Sequence, residues 1–139
     1  MAKAVFDVNP GSGYDDDIIS RYHFPARRPY VEAAESAVND WVLYREPRRN
    51  GGRQAYVATA KVTAVEPDPA RTDHRYAYVR DYLAFPTSVP FVADGRYAEQ
   101  RLRDLENPRS AGQALQGRAM RPISEADFAE IVRAGLAEP

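Results

Sequence analysis

DWVLYREPRRNGGRQAYVATAKVTAVEPDP, residues 40–69, is the stretch whose reading decides the architecture. Asp40 to Glu46 has the β-branched and aromatic content of a strand, and Pro47, which lacks a backbone N–H, ends it. Arg48 to Arg53 is a polar turn built on Asn50-Gly51-Gly52, a strong hairpin signal. Gln54 to Glu66 then reads as a long strand. Tyr56, Ala58, Ala60, Val62 and Ala64 fit its buried face, and Thr59, Lys61 and Thr63 a wetter one. Pro67-Asp68-Pro69 closes it. Asp73 to Phe85 follows as a third strand, with Ala77, Val79, Leu83 and Phe85 on one side and Tyr76, Tyr78, Arg80 and Tyr82 on the other. The three strands are expected to be neighbours in one curved antiparallel sheet.

Working outward, Ala4 to Val8 alternates weakly as a first strand, and Asn9-Pro10-Gly11-Ser12-Gly13 breaks regular structure. Tyr14 to Phe24 has no clear period and reads as an ordered loop or short helix ending at Pro25. Pro29 to Val38 is predicted helical, with proline near its start and Val31, Ala34 and Val38 on one face. Val89 to Val92 suggests a fourth strand, Tyr97 to Leu105 a helix and Ala111 to Leu115 a shorter turn. The last helix is the clearest: Ser124 is its N-cap, Asp127 holds the capping-box position, and Ile123 and Phe128 form a hydrophobic staple. No βαβ repeat occurs, which argues against a doubly wound sheet. The fold class expected is α+β, a strongly curved antiparallel sheet or small open β-barrel with flanking helices, as a single domain over residues 1–139.

The 139 residues suit one core, and the 44% hydrophobic content is that of a globular chain. Without cysteine there is no disulfide, thiolate nucleophile or zinc–thiolate site. No apolar run is long enough to span a bilayer, and the N-terminal residues do not read as a signal peptide. A cytoplasmic location and no membrane partner are expected. The net charge of −1 excludes a bulk polycation. Charge is nevertheless uneven: Asp15, Asp16 and Asp17 form an acidic knot, and Arg27, Arg28, Arg45, Arg48, Arg49 and Arg53 follow closely. The general preference for arginine over lysine fits a GC-rich genome. The cluster around Arg45–Arg53 is local enough to read as phosphate contacts, for which the guanidinium fork is suited.

Catalytic signatures are missing. His23 and His74 do not have metal-pair spacing, and no GxSxG, P-loop or GxGxxG is found. Gly11-Ser12-Gly13 reads as a turn, and the aspartate run lacks the spacing of a calcium loop. No catalytic residue, metal or cofactor is assigned, and the pattern favours binding over catalysis. Aromatics are more informative. Tyr14, Tyr22, His23, Phe24, Trp41, Tyr44 and Phe85 fall at strand ends or loops near turns. Each alone has a ready explanation as core. Together with nearby Asp and Arg residues they fit a pocket for an unstacked base, where stacking supplies energy and carboxylates read the base edge.

The stretch at residues 40–69 resembles EVE-type and related members of the PUA-like superfamily, in which an aromatic-bearing strand leads through a glycine turn to a long strand ending in an acidic-proline corner. The opening FDVNPGSGYDDDIISRYHFP (residues 6–25), followed by that block, is similar to the N-terminal domain of certain bacterial HNH endonucleases that act on modified DNA. The likeness runs from about Val5 to Leu136. It implies a reader of double-stranded DNA carrying a modified base, a modified cytosine, that flips the base into an aromatic cage. Tyr14, Asp15, Tyr22, His23, Trp41 and Tyr44 match the regions that build such cages. On that reading Tyr22, Trp41 and Tyr44 stack, Asp15 or Asp16 accepts from the exocyclic amine, and His23 fixes the base edge. Phe85 completes the pocket, and Arg27, Arg28, Arg45, Arg48, Arg49 and Arg53 hold phosphates. An HNH nuclease module, on the same chain or separate, would be its partner. Two alternatives stay open: an RNA-binding PUA-like domain with the same cage, and a small enzyme using Asp15, Asp16 and His23.

Overall fold

A computed structural model describes residues 2–8, 17–47, 52–105, 107, 110–115 (backbone only at 112 and 113) and 118–138. The quoted stretch folds as expected on both sides of its turn. β3 (Trp41–Glu46) pairs antiparallel with β4 (Ala55–Pro67), and β4 with β5 (His74–Pro90). The Asn50-Gly51-Gly52 turn itself lies largely outside the described residues. The expected fourth strand at Val89–Val92 is mostly the end of β5, which runs to Pro90. A two-residue strand β6 (Val92–Ala93) follows and pairs with β7 (Arg96–Tyr97).

Three features depart from expectation. Tyr14 to Phe24 is a turn only over its described residues 17–20: Arg21–Pro25 is a strand, β2, pairing antiparallel with β5. Met120–Pro122 forms a short strand, β8, antiparallel to β1 (Ala4–Asp7). And β1 pairs parallel with β3, in register Ala4–Val42 to Asp7–Arg45. The sheet is therefore mixed, in the order β2-β5-β4-β3-β1-β8. A parallel pair needs a crossover, and α1 (Arg28–Ser36) lies within this one, burying Tyr30, Ala33 and Ala34 against the sheet.

The sheet curls into a half-barrel. Its two longest strands slip register three times, at Tyr56/Ala58, Thr59/Lys61 and Val62/Ala64. Such bulges increase the local twist. Asp81 takes a left-handed backbone at φ 55°. This kink swaps the faces of β5: Ala77 and Val79 join one core with a partly buried Tyr82, while Phe85 enters the other. Leu83, expected in the core, is 47% exposed.

Both faces are covered. The first core packs Ala4, Phe6, Tyr22, Phe24, Tyr44, Ala58 and Val62 beneath α1. The second packs Val5, Leu43, Tyr56, Phe85 and Phe91 under α2 (Gln100–Arg103), α3 (Ala111–Ala114) and α4 (Glu125–Gly135). This explains why Ala55 to Ala60 are all buried, where simple alternation predicted a wet face. α4 is built as its sequence indicates: Ser124 Oγ accepts from Asp127 N at 3.1 Å, and Ile123 and Phe128 share the second core. Gly135 lets the helix end press on Phe85; a Cβ there would lie 2.4 Å from the ring.

The Asp127 carboxylate does not complete a capping box. It accepts instead from Gln100 N at 2.8 Å and pairs with Arg103 at 2.8 Å, tying α4 to α2. Burial works to raise its pKa, but these hydrogen bonds outweigh it and hold the carboxyl below the usual range. A depressed carboxylate stabilises the fold above the unfolded-state pKa, and that contribution is lost as pH falls through the folded value. We expect thermal stability to fall below about pH 4. In Asp127→Asn the protein should melt lower at neutral pH and its acid decline should be shallower. Thermal melts across pH 3–7 check this.

Candidate nucleic-acid interface

An aromatic floor lies in the first core, on the face of the sheet that α1 covers. Strands β2, β1, β3 and β5 contribute Tyr22, Phe6, Tyr44 and Tyr82 to it. Tyr22 stacks on Phe6 with ring centroids 4.8 Å apart and lies 6.1 Å from Tyr44, which lies 5.7 Å from Tyr82. The first three rings are buried, and Tyr82 is the one at the rim. Ile18 packs beside them, and Ile19 is 63% exposed.

The two buried hydroxyls have a definite task. Tyr22 Oη donates to Asp7 O, and Tyr44 Oη donates to Ile18 O at 3.0 Å. Asp7 and Ile18 flank the stretch 9–16. The floor therefore anchors the chain on both sides of that stretch. Tyr14, Asp15 and Asp16 lie outside the described residues, as do Arg48 and Arg49.

The other expected pocket residues are distributed by strand parity. Trp41, three positions from Tyr44, is half-buried against the second core, and Phe85 is buried within it. His23, adjacent to Tyr22, points to the opposite face. Its Nε2 lies 2.9 Å from Asp68 Oδ2, and its ring stacks on Tyr76 at 4.6 Å and meets His74 at 4.9 Å. Of the described candidates, only Tyr22 and Tyr44 come together. Phe6 and Tyr82 join them, and neither stood out in the sequence. Phe6 alternates with Ala4 and Val8 and so was legible as one of a face; Tyr82 is turned inward by the Asp81 kink.

The described arginines divide similarly. Arg27 and Arg28 are exposed at the start of α1, Arg27 over the Tyr30 ring at 5.4 Å and Arg28 paired with Glu32 at 2.9 Å. Arg53 is exposed and forks onto Glu46 with two bonds of 3.1 Å. Arg45, expected at phosphate, is 5% exposed. Its guanidinium bonds both Asp7 oxygens, at 3.1 and 3.2 Å, and covers Phe91 at 3.9 Å, so it is not presented to solvent.

Asp7 and Arg45 belong to a buried network that sequence reading missed. Arg121, fully buried, bonds Glu99 through Nε at 2.7 Å and an Nη at 2.6 Å, and reaches Asp7 at 3.3 Å. Tyr56 Oη donates to Glu99 at 2.7 Å. Burial pushes Asp7 above the ordinary carboxylate range, against the pull of Arg121 and Arg45. Burial also works to raise Glu99, but Arg121 and Tyr56 overcome it and hold it low. Asp7 thus fixes the end of β1 from below while Tyr22 holds its carbonyl from above. Among the described residues, no cluster of three or more His, Asp or Glu suits a metal ion. No helix there is long and apolar enough to cross a membrane.

The chain is thus an α+β domain in which a curled mixed sheet carries helices on both faces. Solved structures agree over nearly the whole chain. Rpa0253 from Rhodopseudomonas palustris aligns with a TM-score of 0.64 at 15% identity, over 97% of this chain and 93% of that one. Human THYN1, solved in complex with 5-methylcytosine-containing DNA, aligns with 0.59 at 9% identity over 100% of both chains. The N-terminal domain of Staphylothermus marinus McrB aligns with 0.58 at 12%, over 96% of this chain and 94% of that one. No protein-family model matches the sequence, and no curated protein matches it.

Proposed function

We propose that this domain binds DNA carrying a modified cytosine, by taking the flipped base into the cup above the Tyr22–Tyr44 floor. The observation that carries the reading is that floor: closely packed rings with a half-buried Tyr82 at the rim, and hydroxyls that hold Asp7 and Ile18 on either side of residues 9–16. The shared fold with human THYN1, whose structure contains 5-methylcytosine DNA, supports it. The floor rings are buried and already packed on one another, so their role is to shape the cup. Tyr82 supplies a stacking face at its rim. Asp15 or Asp16 reads the exocyclic amine, and Arg27, Arg28 and Arg53, with Arg48 and Arg49, meet phosphates.

Flipping a base costs a few kcal/mol, and one aromatic face returns roughly 1–3 kcal/mol. Tyr82→Ala should therefore lower the preference for a 5-methylcytosine duplex over its plain counterpart by about tenfold or more, with little change in melting because the ring is at the rim. Fluorescence anisotropy on matched duplexes, with single-stranded RNA as a third arm, is the measurement. A wild-type protein that binds modified-cytosine duplexes no more tightly than the plain one would defeat the proposal, and tighter binding to the RNA would replace it with an RNA-binding role.

A further inference from the structure

A second candidate site lies away from the aromatic cup. A cavity of about 420 Å³ opens where edge strand β8 meets α1 and α2. Four cations line it, Lys3, Arg101, Arg118 and Arg121, against one carboxylate, Glu32. Most of these charges are already matched. Lys3 Nζ is 2.7 Å from Asp40 and 3.1 Å from Glu125. Arg121 is bound to Glu99 and Asp7, and Glu32 takes Arg28. Arg101 and Arg118 are left: their guanidinium groups have no hydrogen-bond or ion-pair partner among the described residues.

The two are not independent solvated side chains. Partial burial, then the charges of Arg121 and Arg118, disfavour the Arg101 cation, and Glu99 offsets this only in part. Like charges held together in this way favour an anion between them. The remaining wall is different in kind. Pro29, Ala33 and Met120 give it an apolar surface, and Ser36 adds a hydroxyl. A volume of this size is ample for a small organic ligand.

We propose that this cavity binds an organic phosphate, with the phosphate between Arg101 and Arg118 and the organic body against Pro29 and Ala33. The phosphate could come from a free mononucleotide or from a nucleic-acid strand. The site does not rest on the modified-base reading, because neither source needs a modification.

The test uses the whole chain and the double variant Arg101→Gln/Arg118→Gln. Both side chains are exposed, so the melt should be unchanged; if the pair perturbs folding, each single variant reads the same contact. Calorimetric titration with adenosine monophosphate should show binding that adenosine does not, weakened at least tenfold in the double variant. That result assigns the site to a free nucleotide. If adenosine monophosphate gives no heat but an unmodified duplex loses at least tenfold in affinity, with a salt slope smaller by about two, the phosphate is that of a strand. Unchanged affinity for both probes in the variant, or no binding of either by the wild type, overturns the proposal. None of these arms reads base modification, so the site and the modified-base preference can fail separately.

Discussion

Arg121→Met is expected to cost about 3–5 kcal/mol of stability at neutral pH, the usual penalty for breaking a buried ion pair from one side. Arg121 has no exposed surface and divides its guanidinium between Glu99 and Asp7. The buried cluster is balanced, two carboxylates against Arg45 and Arg121. Methionine fills a similar volume but leaves one carboxylate charged and unmatched. Glu99, left with the Tyr56 hydrogen bond and the more distant charge of Arg45, would rise in pKa and take up a proton in the folded state. A raised folded pKa makes the fold relatively more stable as pH falls, so the deficit should shrink between pH 7 and pH 5. Urea denaturation at both values measures it. Arg121→Met combined with Glu99→Leu should recover part of the loss, since apolar replacement of both partners removes the stranded charge. A loss below about 1 kcal/mol, within the range of exposed pairs, would mean that water reaches the cluster.

The β3–β4–β5 meander was legible in residues 40–69 because long alternating runs and a glycine turn are local signals. The remaining strands were not, for different reasons. In β2, Tyr22, His23 and Phe24 are all buried, so the period of two that marks a half-exposed strand is absent. β8 has three residues, too few to show a period. The parallel pairing of β1 with β3 joins segments nearly forty residues apart, and only long-range packing selects it. The site was readable in part. Parity alone separates Trp41 from Tyr44 and Tyr22 from His23, since odd spacing in a strand puts side chains on opposite faces. The inward turn of Tyr82 was not readable, because it depends on the left-handed backbone at Asp81. Arg121, Glu99 and Asp7 are distant in sequence and look like ordinary surface charges until the sheet closes over them.

Tyr22 is where stability and recognition separate most clearly. Tyr22→Ala should cost about 3–5 kcal/mol, in the range of large aromatic truncations in a core. The ring is 8% exposed, stacks on Phe6 and lies 6.2 Å from Phe24 and 6.1 Å from Tyr44. Alanine would open a void under the cup, and any loss of DNA binding would then reflect unfolding. Tyr22→Phe keeps the rings packed and removes only the hydroxyl that donates to Asp7 O. A lost hydrogen bond of this kind costs about 1 kcal/mol, somewhat more if the carbonyl stays dry. The same hydroxyl should bear on recognition as well as on stability. Asp7 O is one of two carbonyls by which the floor anchors the chain around residues 9–16, and Tyr44 Oη on Ile18 O is the other. Releasing one anchor lets the chain end move relative to the cup, so binding must restore that order at an entropic cost. Tyr22→Phe should therefore weaken the modified duplex more than the plain one, by about threefold to tenfold, in line with a bond worth about 1 kcal/mol. Tyr22→Phe/Tyr44→Phe should lose more than either alone. Anisotropy titrations on matched duplexes, with thermal melts of each variant, resolve the two effects. If a folded double variant keeps the full preference, the anchored stretch plays no part in reading the base, and recognition must lie with Tyr82 and the outer rim.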